Sequence, residues 1–206
     1  MKTDLGRTRQ ISYIGGLFLA LLITGFTGIT QLADAADTYE IDTAHSMILF
    51  RAKHNGITYN YGRFNEFTGK ITMDETDISK SMVEFEVKTA SVDTANEKRD
   101  QHLRSPDFFS AKQFPVITFK STKVNTKEGE EDMLEVTGDL EVLGVKKSIT
   151  VDVAITGKGK GRQGESLIGF ESVFTINRSE FGMTYGVGGP VSDDIRLIVT
   201  IEAKQK

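Results

Sequence analysis

The sequence predicts an all-β protein: an eight-stranded antiparallel barrel with a short helix near one end. Three observations support this fold class. Apolar and polar residues alternate with period two in many segments, about eight of these segments are long, and only one segment between them has a helix-forming composition. Since successive side chains of a strand point to opposite faces, each alternating segment has one dry and one wet face.

The alternation indicates an antiparallel sheet. Residues 83–88, 149–155 and 195–203 place apolar side chains on one face and mainly charged or small polar ones on the other. A parallel sheet would instead be buried on both faces and would read as continuous apolar runs separated by helices. The chain has no such arrangement.

Turn-forming residues separate the long segments and set the strand count. We expect strands near 46–54, 57–74, 80–89, 115–125, 132–143, 145–157, 166–177 and 191–204. A single layer of long one-sided strands must cover its apolar face, and closure into a barrel does this while removing the exposed edges. A two-sheet sandwich is the structural alternative.

One segment, residues 94–104, interrupts the alternation and predicts the short helix. Thr94 is the expected N-cap, with Glu97 at the capping-box position. Ser105 and Pro106 then resemble a second helix start, since proline is favoured at the first helical position. Phenylalanines follow this segment, so it is expected to form a plug or lid at one mouth of the barrel.

The first 35 residues have the layout of a secretory signal peptide. A basic start precedes an uncharged run from Ile11 to Leu32, and Ala33-Asp34-Ala35 offers a cleavage site. An uncleaved membrane anchor is the alternative, since the run is long enough to span a bilayer. We therefore expect a signal peptide over 1–35 and an exported barrel domain over 36–206. The absence of cysteine rules out disulfides, cysteine metal sites and thiol catalysis.

The net charge and the distribution of basic residues argue against two classes of partner. Residues 36–206 contain 22 basic and 27 acidic residues, a net charge of −5. The sequence has no basic cluster, which argues against binding to nucleic acid or to anionic membrane surfaces. The glycines of the 157–164 segment formally match a dinucleotide fingerprint, but a strand follows where that motif needs a helix, so a flexible hairpin loop is expected.

The three histidines, His45, His54 and His102, raise the possibility of a metal site. They lack the local spacing of a zinc helix, and only folding could bring Asp42, Glu66 or Asp100 beside them. Hydrogen-bonded histidines at strand ends are the simpler interpretation. A metal-dependent or redox-associated enzyme using the histidines remains the alternative function. No hydrolase signature or triad is recognisable.

The aromatic content favours an internal apolar channel. Eight phenylalanines are candidates to line it, six on expected strands and two near the expected mouth: Phe50, Phe67, Phe85, Phe119, Phe170, Phe174, Phe108 and Phe109. A barrel of about eight strands can hold one ligand in its interior. The alternative is that these rings simply fill a solid core, as in a structural or interaction protein without a cavity.

Several motifs together resemble the YceI-like family of periplasmic polyisoprenoid-binding proteins. The most specific are Arg99-Asp100-Gln101-His102-Leu103-Arg104-Ser105-Pro106-Asp107-Phe108-Phe109 and Phe114-Pro115-Val116-Ile117-Thr118-Phe119; others are Ile41-Asp42-Thr43-Ala44-His45-Ser46, Gly62-Arg63-Phe64, Leu143-Gly144-Val145-Lys146-Lys147 and Arg178-Ser179-Glu180-Phe181-Gly182-Met183. The resemblance extends from about Tyr39, where family members commonly have Trp, to Ala203.

The resemblance implies a lipocalin-like barrel that holds an isoprenoid lipid, such as a polyprenyl quinone or phosphate, and has neither a cofactor nor a catalytic or metal-binding residue set. It also implies a periplasmic location, without stable membrane insertion after signal cleavage. A homodimer is left open. The family's recurrent polar residues either anchor the helix or lie beside the lipid head group; here they are His45, His54, Arg99, Asp100, His102 and Arg178.

Overall fold

The computed structural model describes residues 36–206, and their strands form a single antiparallel sheet. The signal peptide expected over 1–35 lies outside the described residues. Within the described part, no helix is long and apolar enough to cross a membrane.

The described part of the chain contains eleven strands, one α-helix and three short 3₁₀ helices, these three at Ile78–Lys80, Thr89–Ser91 and Arg178–Phe181. The strands are β1 (Asp37–Ile41), β2 (Met47–His54), β3 (Thr58–Phe64), β4 (Phe67–Met73), β5 (Met82–Lys88), β6 (Val92–Asp93), β7 (Val116–Thr126), β8 (Met133–Val142), β9 (Val145–Lys160), β10 (Ser166–Asn177) and β11 (Val191–Gln205). The helix is α1 (Glu97–Arg104). Its position near one end of the barrel confirms that part of the prediction.

The sheet closes because β1 pairs with β4 on one side and with the end of β11 on the other. After a break at residues 42–46, β2 continues along the same edge of β11, and β3 pairs with β2 as β4 pairs with β1. Hence β1 and β2 form one interrupted strand of the barrel, β3 and β4 form a second, and β5 and β6, which pair with β4 and β3, form a third. Counted this way the barrel has eight strands, and the predicted fold class is confirmed.

The continuous strand predicted over 57–74 is wrong, because Asn65 and Glu66 interrupt it. The backbone N–H of Asn65 donates to the carbonyl of Ser91 (3.1 Å), and that of Glu66 donates to the Ser91 hydroxyl (3.0 Å). These bonds divert the chain, so that β3 pairs with the short β6 while β4 pairs with β5. The prediction also missed β1, whose few residues carry too short an alternation.

The predicted boundaries of the helix need two corrections. The N-cap is Asn96, whose side chain accepts a hydrogen bond from the Arg99 N–H, and Thr94 has another role described below. The second helix start at Ser105-Pro106 is wrong, since the following residues form hydrogen-bonded turns. Ser110 adopts a positive φ of 45°, a conformation that a right-handed helix cannot include.

The glycine-rich segment forms a hairpin turn, as predicted, but a shorter one. Strand β9 extends to Lys160, and the turn closes with the Gly161 N–H donating to the Glu165 carbonyl (2.8 Å). Strand β10 follows directly, so the helix that a dinucleotide motif requires is not formed there.

Different elements lie at the two ends of the barrel, which we call the helix end and the far end. At the helix end are α1, the turns of 105–114, the loop of 182–190 and the β2–β3 turn, whose Asn55 N–H donates to the Pro190 carbonyl (2.8 Å). At the far end is the β9–β10 hairpin, where Lys158 contacts Glu75 of the β4–β5 connection (2.6 Å).

Candidate functional site

A large apolar cavity of about 170 Å³ occupies the barrel toward its far end. Four of the phenylalanines predicted to line a channel do so here: Phe85, Phe119, Phe170 and Phe174. Aliphatic side chains from β8, β9 and β11 complete the wall, and the surface facing the cavity is apolar throughout. Such a cavity excludes charged ligands and accepts a hydrocarbon chain.

A second apolar cavity of about 120 Å³ lies at the helix end. It is lined by Phe50 of β2, by Leu103 of α1 and by Phe108 and Phe109 of the following turns. The plug or lid expected from the sequence therefore contributes to the wall of a cavity. Phe181 and Met183, which sequence reasoning did not select as lining residues, also contact this cavity.

The two cavities meet at a waist formed by Phe64, Ile117, Leu140 and Leu197, which line both of them. The ring centroid of Phe64 is 5.6 Å from that of Phe50 and 5.4 Å from that of Phe109. An aromatic cluster thus narrows the interior between the two cavities. We refer to the two cavities and their waist as the channel.

Three phenylalanine rings lie against glycines of the barrel wall. A methyl group at Gly62 would overlap the Phe50 ring, one at Gly138 would overlap Phe119, and one at Gly69 would come within 3.0 Å of Phe85. Because these glycines lack a side chain, the rings can occupy the space next to the wall that a side chain would otherwise fill. Space along the barrel axis is left open as a result.

Phe67 differs from the other predicted channel residues. It is buried in the main hydrophobic core, but it is not among the residues that line the two cavities described. Phe64, by contrast, lines both cavities although it was not predicted to be a channel residue. The regular alternation of β3, which directs Phe64 inward, was the signal that could have identified it.

Arg178 is the charged residue that lines the helix-end cavity. It is only 3% exposed, and its guanidinium donates to the carbonyl oxygens of Ser192 (2.9 Å), Met183 (2.9 Å) and Val191 (3.2 Å). Burial lowers the pKa of this guanidinium, partly offset by the charge of Asp193. The three bonds tie the loop of 182–190 to β11.

Arg99 and Asp100 tie α1 to Thr94, in the segment that leads from β6 into the helix. The buried Asp100 carboxylate accepts from the Thr94 N–H (2.9 Å) and from its hydroxyl (2.5 Å). Arg99 donates to the hydroxyl and the carbonyl of Thr94, both at 2.7 Å. Neither residue lines the channel cavities, so these contacts fit the helix-anchoring interpretation of the two residues.

The three histidines are not brought together within residues 36–206. His102, on α1, bonds to Asp107 (2.8 Å) and packs against the rings of Phe108 and Tyr185, at 4.9 and 5.0 Å. His54 is the last residue of β2, and His45 lies in the break between β1 and β2.

His45 belongs to a group of three potential metal ligands with Asp42 and Glu202. Its Nδ1 lies 2.9 Å from the Asp42 carboxylate and 3.8 Å from that of Glu202. Bonds from Lys204 and then from His45 hold the pKa of Asp42 well below its ordinary range, and the bond to Asp42 raises the pKa of His45. A lysine ammonium and a histidine that favours its protonated form both oppose the binding of a cation there.

Comparisons with known proteins agree with this architecture. A YceI-like domain model matches residues 39–203. The chain is 38% identical to Protein YceI of Salmonella agona, over 94% of this chain and 97% of that protein. It is 37% identical to a UPF0312 protein of Pseudomonas aeruginosa, over 89% of this chain and 95% of that one.

Solved structures share the same fold. A YCEI protein of Campylobacter jejuni superposes with a TM-score of 0.65 at 35% identity, covering 75% of this chain and 90% of that one. BcnA of Burkholderia cenocepacia gives a TM-score of 0.69 at 23% identity, covering 79% and 98%. A polyisoprenoid binding domain from Saccharophagus degradans gives 0.63 at 15% identity, covering 83% and 99%. The length and identity of these matches place the chain in the YceI-like family.

Proposed function

We propose that this chain is an exported, periplasmic protein that binds an isoprenoid lipid and holds its polyprenyl chain in the channel. The observation that carries the proposal is the pair of apolar cavities that lie on either side of the Phe64 waist inside a closed barrel. A solidly packed barrel would have left no such space. The polyisoprenoid binding domain that shares this fold supports the choice of ligand class.

Burial alone can hold such a ligand. Each methylene moved from water into an apolar site contributes about 0.8 kcal/mol, so a few isoprene units suffice without a strong polar contact. The proposed role is binding for carriage or storage, or in response to stress, rather than catalysis. We place binding ahead of the alternative metal-dependent enzyme because the three histidines do not converge within residues 36–206, and because the Lys204 ammonium is already paired with the Asp42 carboxylate beside His45.

Extraction of the gently purified protein with organic solvent, followed by mass spectrometry, tests the proposal directly. We expect a polyprenyl lipid in the extract. We also expect delipidated protein to take up a polyprenyl quinone in a calorimetric titration. Protein that carries no such lipid and takes up no quinone would contradict the proposed function.

A matched pair of tryptophan substitutions localises the ligand. Val153 of β9 faces the far-end cavity, whereas Val173 of β10 points outward and is 40% exposed. Val153→Trp should fill part of the cavity and weaken quinone binding at least about tenfold, because the volume that the ligand needs is occupied. Val173→Trp should bind normally. Circular dichroism of both variants checks that the barrel is retained.

A further inference from the structure

The outer wall of β2 and β3 at the helix end carries an exposed aromatic surface. Tyr61 pairs with Arg51 across the two strands, and Tyr59 pairs with Lys53. Tyr59 and Tyr61 are 44% and 54% exposed, and Ile57, at the adjoining turn, is 85% exposed. A single exposed apolar side chain is ordinary, but several that lie together, as Ile57, Tyr59 and Tyr61 do, are a feature of contact surfaces.

Two cations lie over the Tyr59 ring, and a third lies beside them. The Arg51 guanidinium carbon lies 4.1 Å from the centre of the Tyr59 ring, and the Lys53 ammonium lies 5.9 Å from it. Arg196 of β11 is the direct neighbour of Arg51 on its other side. We call Arg51, Lys53, Ile57, Tyr59, Tyr61 and Arg196 the tyrosine–arginine surface.

The cations of this surface are not neutralised by carboxylates. In the described part of the chain, none of the three forms an ion pair; the nearby pair joins Arg63 to Asp93 (3.3 Å). Asp194, exposed on β11 two residues before Arg196, is the acidic residue at the margin. The sequence contains no basic cluster, but strand pairing assembles this locally positive surface on a chain whose net charge is −4. The expectation against anionic membranes, which considered only cations close together in the sequence, therefore does not apply to this surface.

The tyrosine–arginine surface adjoins the helix-end cavity. Phe50 and Ala52 line that cavity, and Arg51 and Lys53 alternate with them on the outer face of the same strand. The β2–β3 turn that carries Ile57 is bonded to the loop of 182–190, which exposes Tyr185 and Val187 at the same end. Aromatic, aliphatic and cationic groups thus lie together at one mouth of the channel.

We propose that the tyrosine–arginine surface docks this protein on an anionic phospholipid bilayer, with the helix-end cavity toward the lipid. The inference rests on the proposed function. A polyprenyl lipid is insoluble in water and resides in membranes, so a protein that binds it must meet a membrane. Tyrosines favour the membrane–water interface, an exposed isoleucine can enter it, and unpaired cations are attracted to anionic head groups. Docking would let the lipid pass between bilayer and channel without crossing water.

Vesicle flotation tests the docking. The full chain without its expected signal peptide is mixed with vesicles of phosphatidylcholine and phosphatidylglycerol, or of phosphatidylcholine alone. We expect flotation with the anionic vesicles only, weakening as sodium chloride is raised because surface charge is screened. The double variant Lys53→Glu, Arg196→Glu should partition at least about tenfold more weakly, since each cation near an anionic surface contributes substantially to binding. Ile57→Ser should weaken partitioning without altering its dependence on salt.

The matched control is Lys160→Glu, Arg162→Glu. It changes the net charge equally, but it lies in the hairpin at the far end. This control should float like the wild type. Failure of the wild type to float, or equal loss in both double variants, would overturn the docking surface.

Titration of each protein with a polyprenyl quinone in the absence of vesicles measures ligand binding separately from docking. The Lys53→Glu, Arg196→Glu variant should bind the quinone as the wild type does. Protein that binds quinone but does not float overturns the docking alone. Protein that floats but takes up no quinone overturns the proposed function and leaves the docking surface in place.

Discussion

At the scale of single residues, the open channel depends on glycines as much as on phenylalanines. The Phe50 ring occupies the space that a side chain at Gly62 would fill, and Phe119 does the same over Gly138. Alternation predicts which way a phenylalanine points, but whether its ring lies on the wall or across the channel depends on its cross-strand neighbour. That neighbour is known only once the strand register is known.

Gly62→Ala should therefore narrow the channel. The new methyl group would overlap the ends of the Phe50 and Thr94 side chains, so we expect the Phe50 ring to be displaced into the helix-end cavity. The variant should lose about 1–3 kcal/mol of unfolding free energy, as overpacked sites do, and should bind quinone more weakly. Urea unfolding and calorimetric titration measure the two effects.

Gly157→Ala is the matched control for this substitution. Gly157 lies on β9 with open space around its position, and its backbone conformation is one that alanine readily adopts. We expect equal or slightly higher stability and unchanged quinone binding, since alanine costs less conformational entropy than glycine in a strand. If Gly157→Ala were as damaging as Gly62→Ala, contact with Phe50 would not be the cause.

At the scale of elements, the composition of residues 94–104 predicted that a helix forms, but it did not predict where the helix begins. Thr94 has the chemistry of an N-cap, yet its hydroxyl and N–H bind the Asp100 carboxylate, and Asn96 caps the helix instead. Asparagine and threonine are both good N-caps, and the bonds between Thr94 and the buried Asp100 carboxylate decide which of them caps the helix. A sequence window cannot reveal that aspartate's burial.

Asp100→Ala should loosen α1 and the segment that leads into it from β6. Loss of the carboxylate leaves the N–H and hydroxyl of Thr94 without their acceptor in a buried site, a cost of about 1–3 kcal/mol for each unsatisfied group. Hydrogen–deuterium exchange should speed up over 94–104 while β8 and β9 stay protected. Gln101→Ala, which removes only an exposed bond to Glu97, should leave the exchange of this segment nearly unchanged.

At the scale of the whole molecule, acid should destabilise the fold. Hydrogen bonds from Ser179, first from its hydroxyl and then from its N–H, hold the pKa of Asp193 below its ordinary value. A depressed pKa means that the folded state binds the proton less readily than the unfolded chain. The stabilisation is present above the unfolded carboxyl pKa of about 4 and is lost as the pH falls toward the folded value.

Asp193→Asn should reduce this dependence on pH. We expect the variant to be less stable than wild type at neutral pH and to approach it in acid, below about pH 4, when the wild-type carboxyl is protonated. Urea midpoints measured across that range give the comparison. Glu131→Gln, a substitution in an exposed turn, should run parallel to the wild type at every pH.

The sequence by itself determined the all-β class, the antiparallel direction and the number of strands, because period-two alternation is a local consequence of strand geometry. It also indicated the family through the Arg99–Phe109 motif. Tertiary structure decided the interruption of 57–74, which follows from bonds to the distant Ser91, and the division of the channel at Phe64. It also placed Arg196 beside Arg51, so that cations far apart in sequence form one positive surface. Register and closure create these features, and no local pattern encodes them.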